Sequence, residues 1–430
     1  MDHSCRLCDP LAASLRAHLL HRGVSSENKQ NRIALFTGGG DRPYALGLAS
    51  ALISRGISLD FIGSDYLSAP ELRRSALVRF LNLRGDQSPD VSYWRKCVRV
   101  LLYYVRLITY AATAEPRVFH ILWNGKLESL DRILLAYYKL LGKRLLFTAH
   151  NVNAGKRDGN DSWFNRLSLK FQYKVLDHIF VHTRRMKDEL MAEFEVPQEK
   201  ISVIPFGINE TVPTTELAPV DAKKRLGLDP ETRTLLFFGN IAPYKGLEYL
   251  VESLAILSQT GERYCAVIAG KPKNCRDYWD GIRKAVLHYQ LQGNIIERSG
   301  YIPEEEVEVY FKASDVLILP YTHIYQSGVL FLSYYFGLPV VAADVGSLRE
   351  DVIEGKTGFV CRPKDPHDLA ATIRRYFQSE LYRNLEKCRR SICEYAQERY
   401  SWSKAAEEIH RIYDAQPAQP DAVSEKNQTI

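Results

Sequence analysis

The sequence lacks the features that mark several classes of protein. Its eight cysteines are scattered, and several lie inside apolar segments, which is typical of a reduced chain and argues against a disulfide framework. Cys5 and Cys8 have a C-x-x-C spacing, but no second pair or histidine arrangement completes a zinc or redox site. The apolar piece at 11–20 is too short and polar for a membrane span and has no cleavage-site pattern, so we expect a cytoplasmic protein. No internal repeat or low-complexity tract is present.

What is present is a globular composition with a small excess of positive charge. The 430 residues are 46% hydrophobic and 25% charged, and the formal net charge is +6. At about 150 residues per domain, this length favours two or three domains. The charge suits an anionic ligand or an anionic membrane surface without requiring either, and we expect no nucleic-acid partner.

Short apolar strands alternate with helical segments along most of the chain, which is typical of parallel α/β sheets. Prolines at 213, 219 and 230 stand among polar residues and indicate a linker between two sheets, with a cleft that could open and shut. The predicted fold is α/β with two Rossmann-like domains. The predicted boundaries are an N-terminal extension at 1–30, a first domain at 31–209, a linker at 210–232, a second domain at 233–400, a last helix at 401–414 and a disordered tail at 415–430.

One stretch of the second domain has the form of a ligand-binding loop. The apolar strand Val316–Leu319 is followed by a polar loop that ends at Ser327 and Gly328, where an apolar helix begins. The glycine would let a ligand approach backbone N–H groups that have no partner inside the helix, so the site suits an anion such as a phosphate. The alternative is an ordinary serine cap followed by a turn.

Lys245 is the second observation that favours an anion site. The strand that ends at Phe238 runs through Gly239 and Asn240 towards a helix, and Lys245 stands at the predicted helix start. A cation there opposes the helix dipole, so structure alone gives little reason for it, whereas a bound phosphate would give one. The alternative is a solvent-exposed lysine.

Two further candidates follow strands of the first domain. Gly38, Gly39 and Gly40 end the strand at 32–37; they would allow close approach of a ligand or form a tight turn, and they do not complete the G-x-G-x-x-G pattern. His150 follows the strand at 144–148, at the sheet edge where active-site residues of parallel sheets collect. The alternative is a histidine that bonds to local backbone.

A basic and aromatic helix is predicted at 93–110. Its sequence, YWRKCVRVLLYYVRLITY, places four cations among apolar and aromatic side chains. Such a helix can lie on an anionic membrane, which would suit a lipid-linked acceptor. It can equally be a helix that covers the sheet and keeps its charged ends in water.

The stretches FFGNIAPYKGLEYLVESLAIL and ASDVLILPY, followed by SGVLFLSYYFGLPVVAADVGSLREDVIEGKTGFV, resemble the donor-binding domain of GT4-type retaining glycosyltransferases (GT-B fold, glycosyl transferases group 1). The resemblance covers about residues 30–415 and implies two domains facing a cleft, with the C-terminal helix crossing back to the first domain. It implies sugar transfer with retained configuration, a UDP- or GDP-linked sugar as co-substrate, and neither a separate cofactor nor a metal. His150 and Lys245 would be catalytic. The donor-binding residues would be Gly39, Gly40, Asn240, Lys245, Tyr301, Ile302, Ser327, Gly328 and Val329.

The sequence departs from that family in two places. Many members carry two glutamates, with seven residues between them, in the loop and helix of the donor domain, where this chain has Ile324 and Leu332. An arginine often found after the first strand of that domain is Asn240 here, which leaves Lys245 as the clear cation. Some relatives resemble this chain in having an S-G-V-L form, which keeps the phosphate-facing helix start.

Three functional hypotheses follow. The first is a glycosyltransferase that acts on a saccharide or lipid-linked acceptor, in the cytoplasm or at the inner face of the membrane. The second is a nucleotide-sugar-binding or scaffolding subunit that has lost catalysis with the two glutamates. The third is a dinucleotide oxidoreductase built on two such sheets.

Overall fold

The computed structural model describes residues 32–415 apart from 89–90, 126, 209–211 and 274. The C-x-x-C pair, the apolar piece at 11–20 and nearly all of the predicted tail lie outside the described residues. Within the described residues the strands form two sheets, and every pairing between neighbouring strands is parallel. The predicted α/β architecture with two Rossmann-like sheets is confirmed.

Seven strands form the first sheet, in the order β3-β2-β1-β4-β5-β6-β7. Their bounds are β1 Arg32–Phe36, β2 Ser58–Gly63, β3 Val78–Asn82, β4 Val118–Ile121, β5 Arg144–Thr148, β6 His178–Val181 and β7 Ile201–Val203. Six strands form the second sheet, in the order β10-β9-β8-β11-β12-β13. Their bounds are β8 Arg233–Phe238, β9 Tyr264–Gly270, β10 Ile295–Ser299, β11 Val316–Leu319, β12 Val340–Ala343 and β13 Gly358–Cys361.

Helices connect the strands and cover both faces of each sheet. In the described chain their bounds are Arg42–Ser54, Pro70–Arg74, Tyr93–Thr113, Glu128–Leu140, Ala154–Asp158, Trp163–Val175, Arg184–Phe194, Pro219–Arg225, Leu247–Ser258, Arg276–His288, Glu304–Ala313, Gly328–Tyr335, Leu348–Asp351, Pro366–Gln378, Glu380–Arg383, Leu385–Arg399 and Trp402–Asp414, with short 3₁₀ turns at Asp65–Leu67, Gln198–Lys200 and Pro243–Lys245. Each described helix is too short or too polar to cross a membrane.

The strands read as continuous apolar runs because helices bury them on both sides. Every residue of β11 and of β12 is buried, and neither strand alternates between apolar and polar positions. A single-faced sheet would need a polar residue at every second position. The sheet cores therefore fix the strand ends, and the strand ends position the loops that matter for function.

Each sheet has one point where the order of its strands reverses. In the first sheet β1 lies between β2 and β4, and in the second sheet β8 lies between β9 and β11. At each reversal the loop after the first strand (β1 or β8) and the loop after its neighbour (β4 or β11) turn to opposite faces of the sheet. This opens a crevice at the carboxyl edge of the sheet. The loops after β1 and β4 and those after β8 and β11 are therefore where a ligand is expected to lie.

The last helix returns to the first domain, as the resemblance implied. Trp402–Asp414 packs against Arg42–Ser54. The guanidinium of Arg144 donates hydrogen bonds to the carbonyls of Ile412 and Tyr413 at 2.7 and 3.1 Å. The Tyr413 hydroxyl lies 2.7 Å from His120 Nδ1, and both side chains are buried.

Two segments differ from what the sequence analysis expected. The edge strand β3 was not predicted; it pairs with β2, and its Arg79 binds the buried carboxylate of Asp60. The segment interpreted as a linker contains the helix Pro219–Arg225, whose Ala222 belongs to the core of the second domain. The polar, proline-rich composition of that segment hides the few apolar side chains that hold it in place.

Candidate functional site

A cleft of about 430 Å³ lies between the two sheets and is open on one side. It is lined by the segments that follow β1, β4, β5, β6, β7, β8 and β11, together with Trp402 of the last helix. The lining residues are Asp41, Pro43, Tyr44, Trp123, His150, Asn151, His182, Phe206, Gly207, Asn240, Tyr244, Lys245, Tyr321, Ile324, Gln326, Ser327, Gly328, Val329, Phe331, Leu332 and Trp402. Both strand-order reversals therefore face the same cavity.

Lys245 is buried in the wall of this cleft. Its side chain is only 6% exposed, and its Nζ lies 5.4 Å from the centre of the Tyr321 ring. Among the described residues no hydrogen bond or ion pair involves the ammonium group. Burial lowers the pKa of Lys245 from its usual value, and Tyr244 opposes that shift weakly. The structure thus holds a cation in a low-dielectric wall and gives it no carboxylate.

Gly239 makes room for this ammonium group. It has φ +95°, a conformation that side chains disfavour, and a Cβ built there would lie 3.2 Å from Lys245 Nζ. Lys245 itself closes a 3₁₀ turn, Pro243–Lys245, ahead of the helix that begins at Leu247. The lysine therefore lies two residues before the first residue of that helix, close to the helix start that the sequence predicted.

The helix that begins at Gly328 presents its amino end to the cleft. Ser327, Gly328 and Val329 all line the cavity, and the backbone N–H groups of Gly328 and Val329 have no acceptor among the described residues. A Cβ built on Gly328 would meet only Phe206, at 3.9 Å, so the space in front of it is open. Two free amides at a helix start attract an anion.

Ser327 does not cap this helix with its side chain. The residue is in the N-cap position, but its hydroxyl accepts no bond from a backbone N–H; it lies 3.4 Å from the Tyr321 hydroxyl. The expectation that Ser327 caps this helix with its side chain is therefore wrong. The consequence is that the helix amides stay available to a ligand.

The neighbouring helix start at Leu247 is already satisfied. The Leu247 N–H donates to the Tyr278 hydroxyl at 3.0 Å, and that hydroxyl in turn donates to the carboxylate of Glu248. An acidic side chain in the first turn suits the helix dipole and repels an anion. A phosphate in the cleft would therefore be held by Lys245 and the Gly328 helix, and not by this second helix.

His150 stands in an aromatic cluster on the opposite wall. Its ring stacks on Trp123 with centroids 4.2 Å apart and planes 5° apart, and Tyr44 meets it edge-on at 4.5 Å. Its Nδ1 lies 3.3 Å from Nε2 of His182, which also lines the cleft. Stacking and this contact hold the imidazole in one orientation.

Burial keeps both histidines of the cleft neutral. It lowers the pKa of His150 well below its usual value, and His182 and His120 add to this shift. Burial also lowers the pKa of His182 to about 4, against the carbonyl of Ile204, which raises it. A neutral imidazole pair donates and accepts hydrogen bonds, which suits the hydroxyls of an uncharged ligand group.

Gly39 and Gly40 lie beside the cleft and do not line the cavity. A Cβ on Gly40 would fall 2.1 Å from the indole of Trp123, and a Cβ on Gly39 would fall 2.0 Å from Nη1 of Arg84. These glycines admit the side chains that pack behind His150. Their direct contact with a ligand, which the resemblance implied, stays a prediction.

Tyr301 and Ile302 also lie outside the cavity. Tyr301 is 76% exposed in the loop after β10, where Arg42 of the first domain approaches Glu304 of the second at 3.9 Å. The predicted contact of this loop with a nucleotide base stays a prediction. Of the predicted donor-binding residues, the structure brings Asn240, Lys245, Ser327, Gly328 and Val329 together at one cavity with His150.

The two positions where relatives carry glutamates do face the cleft. Ile324 and Leu332 both line it, so the cavity has apolar side chains there. In the described residues the cavity has one carboxylate, that of Asp41, whose oxygen caps the helix at Arg42 by accepting from the Tyr44 N–H at 3.0 Å. Burial raises the pKa of Asp41, against that hydrogen bond. In the described part of the chain, His, Cys, Asp and Glu side chains form no group of three that could hold a metal ion.

Tyr325 joins the donor-side loop to the first domain. Its hydroxyl donates to Glu189 Oε1 at 2.9 Å and accepts from the Asn153 N–H at 3.2 Å. Lys156 also binds Glu189 at 3.0 Å. The loop that leads to Ser327 is therefore fixed to the segment that follows His150.

Sequence reasoning missed several residues of the site. Trp123, His182 and Asp41 each follow a strand of the first sheet by one to five residues, at the edge where its loops meet. That position was a usable signal, since His150 was found by it. Phe206, three residues after β7, had the same signal, whereas Tyr44 and Trp402 lie inside helices and had none.

Two family models match the chain, one for each sheet. Residues 38–212 match Glycosyltransferase Family 4, and residues 221–399 match Glycosyl transferases group 1. The fold and the cleft define a GT-B protein, with two Rossmann-like domains that face each other. The chain belongs to the group 1 glycosyltransferases, and it is an enzyme of that class rather than a dinucleotide oxidoreductase.

Relatives of known structure and sequence span almost the whole chain. The D-inositol 3-phosphate glycosyltransferase of Corynebacterium glutamicum is 23% identical over 401 residues, which cover 90% of this chain and 93% of that protein. Sucrose-phosphate synthase from Thermosynechococcus elongatus superposes with a TM-score of 0.70 and 21% identity, covering 89% of this chain and 98% of the other. Anabaena HepE in complex with UDP and glucose superposes with a TM-score of 0.67 and 16% identity, covering 89% and 98%. At these identities the two superpositions show a shared fold.

Proposed function

We propose that this glycosyltransferase moves a sugar from a UDP- or GDP-linked donor to a hydroxyl of a saccharide or lipid-linked acceptor, with retention of configuration and without a metal ion. One observation carries the proposal. The buried ammonium of Lys245, which has no carboxylate partner among the described residues, faces the same cleft as the free amides of Gly328 and Val329. A diphosphate would satisfy all three donors at once.

The chemistry follows from where charge develops. The bond between the anomeric carbon and the diphosphate oxygen breaks, so negative charge grows on the leaving group and positive character on the sugar ring. Lys245 and the two amides stabilise the leaving diphosphate, and each such donor is worth about 3 kcal/mol in comparable sites. Because these donors supply the positive charge, the proposed reaction requires no metal at the diphosphate.

The acceptor oxygen bonds to the anomeric carbon on the face that the diphosphate leaves, which retains the configuration. Its proton passes to a phosphate oxygen of the leaving group, so no carboxylate base is needed. This route fits a cavity whose one carboxylate, among the described residues, is engaged as the helix cap Asp41. His150, neutral and fixed by Trp123, would bond to hydroxyls of the transferred sugar.

The named relatives support a nucleotide-sugar donor. HepE of the same fold is described in complex with UDP and glucose, and also with UDP-glucose. A 2-deoxystreptamine glucosyltransferase of Streptomyces kanamyceticus is 28% identical over 201 residues. These properties belong to those proteins and are extended to this chain as part of the proposal.

We propose that the reaction takes place at the inner face of an anionic membrane, which the first domain contacts. The helices Tyr93–Thr113 and Trp163–Val175 carry seven Lys or Arg and no Asp or Glu in their sequences. Large apolar side chains among them are exposed, including Trp94 at 78%, Leu101 at 64% and Phe164 at 76%. Exposed aromatic and apolar groups among cations favour binding to an anionic bilayer.

A panel of donors tests the function. The full chain is incubated with UDP-, GDP- and dTDP-sugars, with and without EDTA, and nucleotide release is followed. We expect release from one donor at an unchanged rate in EDTA, and NMR of the product should show the anomeric configuration of the donor. Inversion at the anomeric carbon would contradict the proposed retention of configuration. Loss of nucleotide release in EDTA would contradict the proposed independence from metal ions.

The apolar pair Ile324 and Leu332 stands in the cleft where many relatives have glutamates. The same panel therefore also tests whether turnover persists without them: tight donor binding with no release of nucleotide under any condition would contradict the proposed transfer.

A further inference from the structure

A second cavity lies in the first domain, away from the donor cleft. It has a volume of about 560 Å³ and opens between the helices Tyr93–Thr113 and Glu128–Leu140. Val100, Leu101, Tyr103, Leu127 and Leu130 form apolar walls. A volume in the range of roughly 300–1,000 Å³ with mainly apolar walls is typical of a ligand site.

Three cations line this apolar cavity. They are Arg84, Lys96 and Arg99. None of the three has a carboxylate partner among the described residues, and Arg99 is engaged only by the Ser88 carbonyl at 3.4 Å. Cations without acidic partners at the rim of an apolar pocket complement a ligand with an aliphatic body and an anionic end.

Arg84 connects this cavity to the donor cleft. Its guanidinium stacks over the Tyr103 ring at 5.3 Å, and its Nη1 donates to the carbonyl of Gly38. A narrow space beside it is lined by Tyr103, Gly38 and Trp123. Trp123 is also part of the donor cleft, where it stacks on His150. Tyr103 thus lines both the second cavity and this narrow space, and Trp123 lines both the narrow space and the donor cleft.

The exposed apolar residues continue from the cavity mouth onto the surface. Val98, Leu102 and Val105 are 46–54% exposed on the same helix as Leu101, and Ile133 is 62% exposed on the next helix. A ligand that entered here from a bilayer would leave apolar lipid and enter apolar protein. The surface and the cavity thus suit one amphiphilic molecule.

We propose that this cavity binds the aliphatic chain of the acceptor, and that the acceptor is a long-chain lipid phosphate whose phosphate carries a further hydroxyl-bearing group. Arg84, Lys96 and Arg99 bind the phosphate, and the group that receives the sugar extends past Gly38 and Trp123 into the donor cleft. This inference rests on the proposed transferase function and narrows its acceptor from a saccharide or lipid-linked molecule to a lipid phosphate.

Decyl phosphate, kept below its micelle concentration, is the probe. We expect it to bind the full chain in calorimetric titration, while inorganic phosphate and decyl glucoside each bind at least tenfold more weakly. Cys97 lines the cavity and is exposed, so Cys97→Trp fills the space without burying new surface in the core. We expect Cys97→Trp and Arg99→Gln each to weaken decyl phosphate binding at least tenfold.

Two variants serve as matched controls. Cys97→Ser keeps the cavity open, and Lys174→Gln removes an exposed cation from a neighbouring basic helix outside the cavity; both should bind decyl phosphate like the parent. Equal affinity of the parent and Cys97→Trp overturns the proposal, as does equal binding of decyl phosphate and decyl glucoside.

Donor turnover distinguishes this failure from failure of the transferase. In the absence of acceptor, the parent protein should release nucleotide by slow transfer to water, and this release is measured beside decyl phosphate binding. A parent protein that turns over a donor but does not bind decyl phosphate refutes the lipid inference alone. A parent protein that turns over no donor refutes the transferase.

Discussion

Replacing Lys245 by methionine should make the protein more stable and nearly inactive. Methionine has a similar length and no charge, so it can fill the same space in the cleft wall. In the free protein the lysine is a buried cation with no ion pair among the described residues, and burial lowers its pKa. Removing it relieves a desolvation cost, whereas a bound diphosphate loses its cation.

The substitution should lower the activity and raise the stability of the protein. Removal of a charged donor to the leaving group should lower kcat by about 10²–10³-fold, or about 3–4 kcal/mol. Removal of the desolvated charge should raise the free energy of unfolding by about 0.5–2 kcal/mol. The charged hydrogen bond to a nucleoside diphosphate should be worth about 1.5–3 kcal/mol, so UDP or GDP affinity should fall about 10–100-fold.

Thermal unfolding with and without nucleotide measures both effects. At a concentration of 100 times Kd, nucleotide should stabilise the parent by about 2.7 kcal/mol, and a 100-fold loss of affinity should reduce this to about 0.4 kcal/mol. Lys271→Met is the control, because Lys271 is exposed after β9 and does not line the cleft. A Lys245→Met protein with parental turnover, or one that is clearly less stable than the parent, would refute the reasoning.

Two further predictions concern the His150 side of the cleft and the buried histidines. Gly40→Ala should lower kcat/KM at least tenfold with nucleotide affinity unchanged, because the new Cβ would fall 2.1 Å from the indole that stacks on His150. Gly281→Ala is the control, because Gly281 lies in a helix with open space around it. Equal rates for the two variants would contradict this account. Burial lowers the pKa of His120 to about 3 and that of His182 to about 4, so the unfolded state binds protons below its pKa of about 6.5 while the folded state does not. The free energy of unfolding should therefore fall by about 2 kcal/mol per histidine from pH 7 to pH 5. Below the pKa values of the two histidines in the folded protein, these groups should lower it no further. A urea midpoint that does not change between pH 7 and pH 5 would refute this prediction.

The strands that the sequence predicts well are those that are buried on both faces. β11 and β12 are short apolar runs between breakers, and only a covered parallel sheet explains them. β3 was missed because, as an edge strand, it is only half-buried and its sequence, VRFLN, places a charge and an amide in the run. The helix Pro219–Arg225 was missed because four of its seven residues are charged and Pro219 reads as a breaker, whereas here it begins the helix.

The site was predictable where a residue type had no structural reason to be present. Lys245 opposes the helix dipole, and that conflict alone marks it from the sequence. His150 follows a strand end, a position shared by Trp123 and His182, but their stacking depends on how far β4, β5 and β6 extend before their loops begin. Gly40 could be recognised from the sequence as a turn residue. The need for glycine at this position, however, comes from the Trp123 indole that packs against it, and no local sequence pattern encodes that contact.

The hydroxyl of Tyr325 joins the two halves of the enzyme by hydrogen bonds. Its partners, the Asn153 amide and Glu189, belong to the half that would receive the acceptor, while its own loop leads directly to the amides proposed for the diphosphate. Opening of the cleft therefore requires the Tyr325 phenol to give up both of these partners.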